Sequence, residues 1–120
     1  MKFNWTTIWV MDMDTSLKFY QKIVGLPLQR RYVTRPGMEI AFLGSEETAL
    51  ELICDQNKEK IDVGSDVSIG FEAGPLEDIM RVLEAENIPI HSGPFEPNPH
   101  IRYFFVQDPD GWKVQFVQQK

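Results

Sequence analysis

Val24-Gly25-Leu26-Pro27-Leu28 and, 62 residues further on, Glu86-Asn87-Ile88-Pro89-Ile90 are two versions of one pattern: Gly or Asn, then apolar-Pro-apolar. Gly and Asn tolerate the left-handed backbone that closes a helix, and Pro cannot continue one, so each copy marks a helix end that turns into a strand. Working upstream, Asp14-Thr15-Ser16 predicts the start of a helix reaching about Val24, with Leu17, Tyr20, Ile23 and Val24 at helical spacing. The second helix is predicted to open at Gly74-Pro75, with Glu77 and Asp78 in its first turn and Leu76, Ile79, Met80 and Leu83 facing inward.

Strands are predicted near 3–10, 28–34, 38–44 and 48–54, and again near 67–73, 89–92, 102–107 and 112–118. Asp108-Pro109-Asp110-Gly111 supplies the last tight turn, with Gly111 free to take positive φ. The chain therefore reads as one α+β domain, residues 1–120, built from two β-α-β-β-β repeats of about 1–60 and 61–120. The polar connector between them runs from Asp55 to Gly64. A segment with three prolines, Ser92 to His100, reads as a semi-rigid loop.

Side chains alternate across a strand, so the pattern also assigns faces. Ile8, Val10, Leu50, Leu52, Cys54, Val67, Ile69, Phe71, Val114 and Phe116 fall on an apolar face that suits packing against the helices. Trp5, Thr7, Trp9, Glu51, Ser68, Gly70, Glu72, Lys113 and Gln115 fall on the other. A face that keeps carboxylates, an amide and two tryptophans is poorly suited to a packed core, because burying charge without a partner is costly. Curling one mixed sheet around it, helices outside, makes a concave amphipathic pocket.

Composition sets the outer limits. The 120 residues carry a formal charge of −6, and the second half holds all of it: residues 1–60 have 8 basic and 8 acidic side chains, residues 61–120 have 4 and 10. An acidic chain without a basic footprint argues against nucleic acid and against anionic membranes. Many of the acids (Glu77, Asp78, Glu84, Glu86, Asp108, Asp110) fall where helices and turns are expected. The single cysteine, Cys54, excludes an internal disulfide and a cysteine-based zinc cluster, and its apolar neighbours suggest a buried structural thiol. No apolar stretch at the start is long enough for a signal peptide or membrane span, which gives a cytoplasmic expectation.

Trp5-Thr-Thr-Ile-Trp-Val10, then Asp14-Thr-Ser-Leu-Lys-Phe-Tyr20 and Val24-Gly-Leu26, and finally Phe105-Val-Gln-Asp-Pro-Asp-Gly-Trp-Lys-Val-Gln-Phe116 resemble the opening strand and helix and the closing hairpin of the vicinal oxygen chelate superfamily. That superfamily includes glyoxalase I, bleomycin-resistance proteins and extradiol dioxygenases, and the likeness spans essentially the whole chain. It implies the duplicated β-α-β-β-β fold and a cleft completed by pairing, here as a homodimer. In the glyoxalase-like branch four strands each supply one metal ligand, drawn from His, Glu and sometimes Gln. Carried over, those positions are Trp5, Glu51, Ser68 and Gln115, and only Glu51 is a good hard-cation ligand. The expectation is no cofactor and no tightly bound metal.

Three functional classes follow. The first is a metal-free small-molecule binding protein using Trp5, Trp9, Glu51, Ser68 and Gln115, with His100 and Arg102 brought to the pocket mouth by the 92–100 loop. The second is a lactoylglutathione-lyase-like isomerase or lyase with a rearranged divalent metal site, in which Glu51 is ligand or base. The third is a non-catalytic dimeric interaction module. Several residues keep two readings. Trp5 and Trp9 stack a ligand or fill an interface; Glu51 accepts a proton or pairs with Lys113 or an arginine; of Arg30 and Arg31, which face opposite ways, one at most addresses the pocket, and with Arg35 they also serve as edge charges. The residues leave catalysis itself open.

Overall fold

Residues 1–45 and 48–120 are described by a computed structural model. The chain divides into two compact units, Met1–Asp62 and Val63–Lys120. In the first, β1 (Trp5–Trp9) is followed by α1 (Met13–Lys18), β2 (Leu28–Arg35), β3 (Met38–Leu43) and β4 (Ala49–Asp55). In the second, β5 (Ser68–Glu72) is followed by α2 (Leu76–Ala85), β6 (Ser92–Asn98), β7 (Ile101–Gln107) and β8 (Lys113–Gln119). The fold class is α+β. The strand orders, β1-β4-β3-β2 and β5-β8-β7-β6, are the same order written twice. In both, the first strand runs parallel to the last and the other pairs are antiparallel. Hydrogen bonding thus gives two four-stranded mixed sheets, one per unit, as the duplicated β-α-β-β-β reading requires.

The repeated helix ends have one physical basis. Gly25 has φ 85° and Asn87 φ 58°, so both close their helices through the left-handed region. The Ile88 N–H donates to the Leu83 carbonyl at 2.9 Å and the Asn87 N–H to Glu84 at 3.1 Å, which returns α2 into the following segment. The first helix is wider at its end. After α1 it continues as a π-helical stretch, Phe19–Ile23, and the Leu26 N–H reaches back to Tyr20 at 2.9 Å.

Several boundaries differ from expectation. The first helix is capped by Asp12, whose carboxylate accepts from the Thr15 N–H at 3.2 Å. Asp14 lies inside the first turn and its carboxylate turns instead to Arg31, 2.9 Å away. β1 begins at Trp5, leaving Phe3 exposed, and β5 begins at Ser68, leaving Val67 half exposed. The largest correction is β6, which occupies Ser92–Asn98, where a loop was expected, while 89–91 is not strand. Prolines are compatible with this strand because it lies at the sheet edge and pairs with β7 only at Ser92, Phe95 and Asn98. Pro94 and Pro97 fall between those positions, where no ladder N–H is required.

Each unit has its own apolar core. Ile8, Val10, Leu17, Tyr20, Leu43, Leu50 and Leu52 are buried in the first, and Leu76, Leu83, Phe104, Val106, Val114 and Phe116 in the second. Full burial of one such side chain contributes about 1.5–3 kcal/mol. Ile79 and Met80 are only partly covered. Cys54 is half-buried rather than buried, with its thiol 3.5 Å from the Met11 carbonyl oxygen. The closing turn is held by Asp108, whose carboxylate accepts from the Asp110 and Trp112 N–H groups at 2.9 Å each, while Gly111 takes φ 96°. Among the described residues no helix is long and apolar enough to cross a membrane.

Candidate functional site

Strand register decides which side chains share a face. In the first unit Thr7 pairs with Glu51, Glu51 with Phe42, and Phe42 with Arg30, forming one row across all four strands. The next row on the same face is Trp9, Ile53, Ile40 and Tyr32. Trp5, two residues before Thr7, completes the set, so Trp5, Trp9 and Glu51 share a surface as the alternation requires.

Glu51 is held in place. The Thr7 hydroxyl donates to its carboxylate at 2.6 Å. Trp5 packs edge-on against Phe42 with ring centroids 5.3 Å apart. The Arg30 guanidinium lies 4.4 Å over the Phe42 ring and 5.9 Å from that of Tyr32, and the Lys58 ammonium lies 5.3 Å over Trp9. These cation–π contacts contribute about 0.5–1 kcal/mol each at exposed sites and leave the cations presented to solvent. Trp5 and Tyr32 remain 46% and 40% exposed, so the surface has ring area to offer a ligand. Arg30 is the arginine that addresses this face. Arg31 points away, where its guanidinium grips Glu39 at 2.7 Å and Asp14 at 2.9 Å, and those two carboxylates raise its pKa. Arg35 pairs with Asp55 at 3.3 Å.

The second unit carries a related face. Gly70 pairs with Gln115 and Gln115 with Phe105; Ser68 pairs with Lys113; Glu72 pairs with Val117, Val117 with Tyr103, and Tyr103 with Phe95. Phe95, Tyr103 and Phe105 form an aromatic row with centroid spacings of 5.5 and 5.8 Å, and the Lys113 ammonium stands 5.0 Å over Phe105. A Cβ at position 70 would lie 3.0 Å from the Gln115 Oε1, so glycine there leaves room for the carboxamide.

Two expected ligand residues are placed elsewhere. Arg102 pairs in register with Gln118, one step out of phase with Gln115, and so shares the helix side of the sheet with buried Phe104 and Val106. Its guanidinium bonds Glu77 of α2 at 2.9 Å and approaches Glu96 of β6 at 4.0 Å. His100 sits exposed in the β6–β7 turn, its N–H donating to the Asn98 side chain at 2.8 Å and its carbonyl accepting from the Lys120 N–H. Thr7 was assigned to this face by alternation alone, and Phe42, Tyr32 and Lys58 were not singled out by the sequence. Extending the two-residue alternation to β2 and β3 would have found Phe42 and Tyr32, whereas Lys58 reaches Trp9 from a connector that no periodicity describes.

Arg102 gives a prediction. Its hydrogen bond and charge hold the Glu77 carboxyl below its ordinary value of 4.5. The contact therefore supports the folded state above that range and is lost as pH falls through the lowered value. Arg102→Gln is expected to raise the Glu77 titration, followed by carboxyl-carbon NMR, toward the ordinary range, with a backbone hydrogen bond still holding it down in part. An unmoved titration would show that the pair does not form in solution.

The donor chemistry does not fit a glyoxalase-type metal. Trp5 offers only an N–H donor, Ser68 a neutral hydroxyl and Gln115 an amide oxygen, beside the single carboxylate of Glu51. Among the described residues no group of three or more His, Cys, Asp and Glu side chains is placed to hold a metal ion.

Comparison with known proteins agrees with this architecture. The family model for the glyoxalase/bleomycin resistance protein/dioxygenase superfamily matches residues 2–116. A lactoylglutathione lyase of Neisseria meningitidis is 31% identical over 130 aligned positions, covering 100% of this chain and 92% of the relative. Among solved structures, the trypanothione-dependent glyoxalase I of Leishmania major superposes with a TM-score of 0.82 at 23% identity, covering 98% of this chain and 86% of that one. TnmS3, an antibiotic binding protein from Streptomyces, gives 0.79 at 18% identity, covering 100% and 97%.

Proposed function

Because the chain belongs to the glyoxalase/bleomycin resistance protein/dioxygenase superfamily, we propose that it is a metal-free, cytoplasmic, homodimeric small-molecule binding protein. One observation carries the reading. At the two family ligand positions of the first unit stand an indole, Trp5, and a carboxylate, Glu51, that already accepts a 2.6 Å hydrogen bond from Thr7. Such a surface supplies ring faces for a planar ligand, a fixed acceptor for its polar group, and two cations on the neighbouring rings. TnmS3, an antibiotic binding protein, has a role of the same class.

The test has two parts. Protein purified without chelators, soaked with nickel, zinc or manganese and then dialysed, is expected to retain substoichiometric metal. Titration with a panel of planar polycyclic compounds is expected to quench tryptophan fluorescence, and Trp5→Ala is expected to weaken that binding. Stoichiometric metal that is lost in Glu51→Gln would overturn the proposal.

The names of the relatives favour a second reading, a lactoylglutathione-lyase-like isomerase. It requires further ligands beyond Glu51. Turnover of a hemithioacetal with added metal, abolished by Glu51→Gln, would establish it in place of the first.

A further inference from the structure

The opposite side of the first sheet holds a feature that the Glu51 face does not use. An open groove of about 400 Å³ runs between the first helix and strand β2, lined by Asp14, Leu17, Lys18, Gln21, Lys22, Leu28 and Arg31. Leu17 is 5% exposed and Leu28 38%, so the groove has an apolar floor that stays partly open to solvent. Three cations and one acid line it, within a chain whose formal charge is −6. The acid is already committed: Asp14 and Glu39 are both bound to Arg31. Lys18 and Lys22, one helical turn apart at the rim, form no ion pair with a described residue, and Gln21 between them presents an amide. β2 is also the edge strand, so no further strand of its sheet covers this side.

We propose that this groove is a second binding site, for an amphiphilic carboxylate: a small organic anion with a short apolar body. The apolar body lies on Leu17 and Leu28. The carboxylate is shared between the Lys18 and Lys22 ammonium groups, with Gln21 as an additional donor. The Asp14–Arg31–Glu39 ion pairs fix the floor, because they tie the helix to β2 and β3 independently of any ligand. Charge sets selectivity: two ammonium groups without an ion-pair partner among the described residues favour an anion locally and repel a cation of the same shape.

The test compares octanoate with octylammonium, followed by backbone amide shifts. Octanoate is expected to move Leu17, Lys18, Gln21, Lys22 and Leu28 in a saturable way, and octylammonium to leave them unmoved. The Lys18→Glu/Lys22→Glu double variant should weaken octanoate at least tenfold while its other amide shifts report an intact fold. Added salt should weaken binding to the parent as well. Equal response to octylammonium, unchanged octanoate affinity in the double variant, or shifts centred on Trp5 and Glu51 would each overturn the assignment. Trp5→Ala separates the last case, because groove binding is expected to survive it.

Discussion

Replacing Phe104 by Ala is expected to lower the unfolding free energy by about 3–5 kcal/mol. Phe104 is fully buried, stands opposite Phe116 in the β7–β8 register, and packs its ring 5.6 Å from the Phe116 ring. Val106, Val114, Leu76 and Leu83 are also buried in this unit, so the ring is removed from a close-packed core that relaxes only in part. The cost is therefore the lost transfer free energy plus the cavity. Against a total stability of about 5–15 kcal/mol for a domain of ordinary size, that loss removes a large share of the stabilising free energy. Phe95→Ala makes the same chemical change at a residue 43% exposed on the edge strand, and is expected to cost under about 1.5 kcal/mol. Urea denaturation of both variants checks the contrast. A similar, small loss for the two would show that the second unit is not organised around Phe104 and Phe116.

Phe116 shows where sequence patterns were informative. Alternation in β8 assigned Phe116 and Val114 to the helix side, because a pleated strand has only two faces and one of them must be dry. The helix ends at Gly25 and Asn87 were equally legible, since the left-handed backbone restricts residue type strongly. The first helix start was not, because Asp12 and Asp14 are both good caps and the choice depends on Arg31, which approaches from β2 and takes Asp14. β6 was hidden by its prolines. Their missing N–H groups weigh against a strand only where a ladder bond is needed, and the register shifts of this edge strand remove that need.

The candidate site divides along a similar line. Trp5, Trp9 and Glu51 could be assigned to one face because they lie on strands with clear alternation. Arg102 was expected at the pocket mouth, beside the semi-rigid 92–100 loop. It belongs to β7, whose alternation with Phe104 and Val106 assigns it to the helix side. Lys58 and Thr7 complete contacts that depend on side-chain reach, 5.3 Å to a ring and 2.6 Å to a carboxylate, and no spacing rule encodes those.

Trp5→His is expected to raise the affinity of the protein for nickel about 10–100-fold over the parent, the scale on which metal sites respond to loss of a supporting interaction. Positions 5 and 51 are diagonal neighbours on adjacent parallel strands, since Trp5 pairs with Ala49 and Thr7 with Glu51. Such neighbours share a face with Cα atoms about 7–8 Å apart, a separation that an imidazole and a glutamate carboxylate can span around one ion. What position 5 lacks in the parent is a lone pair, because an indole N–H only donates. The substitution supplies one where the family places a ligand, and removes an edge-on ring contact with Phe42 worth about 0.5–1.5 kcal/mol. The Thr7 hydroxyl remains as the outer partner that orients the Glu51 carboxylate. Because imidazole must be neutral to bind metal, the gained affinity should fall as pH drops below about 6.5. Adding Glu51→Gln to the same variant is expected to cancel most of the gain, as read by calorimetric titration. If nickel affinity were unchanged by Trp5→His, or survived the loss of Glu51, the two residues would not form one surface, and the carry-over of family ligand positions to this chain would be wrong.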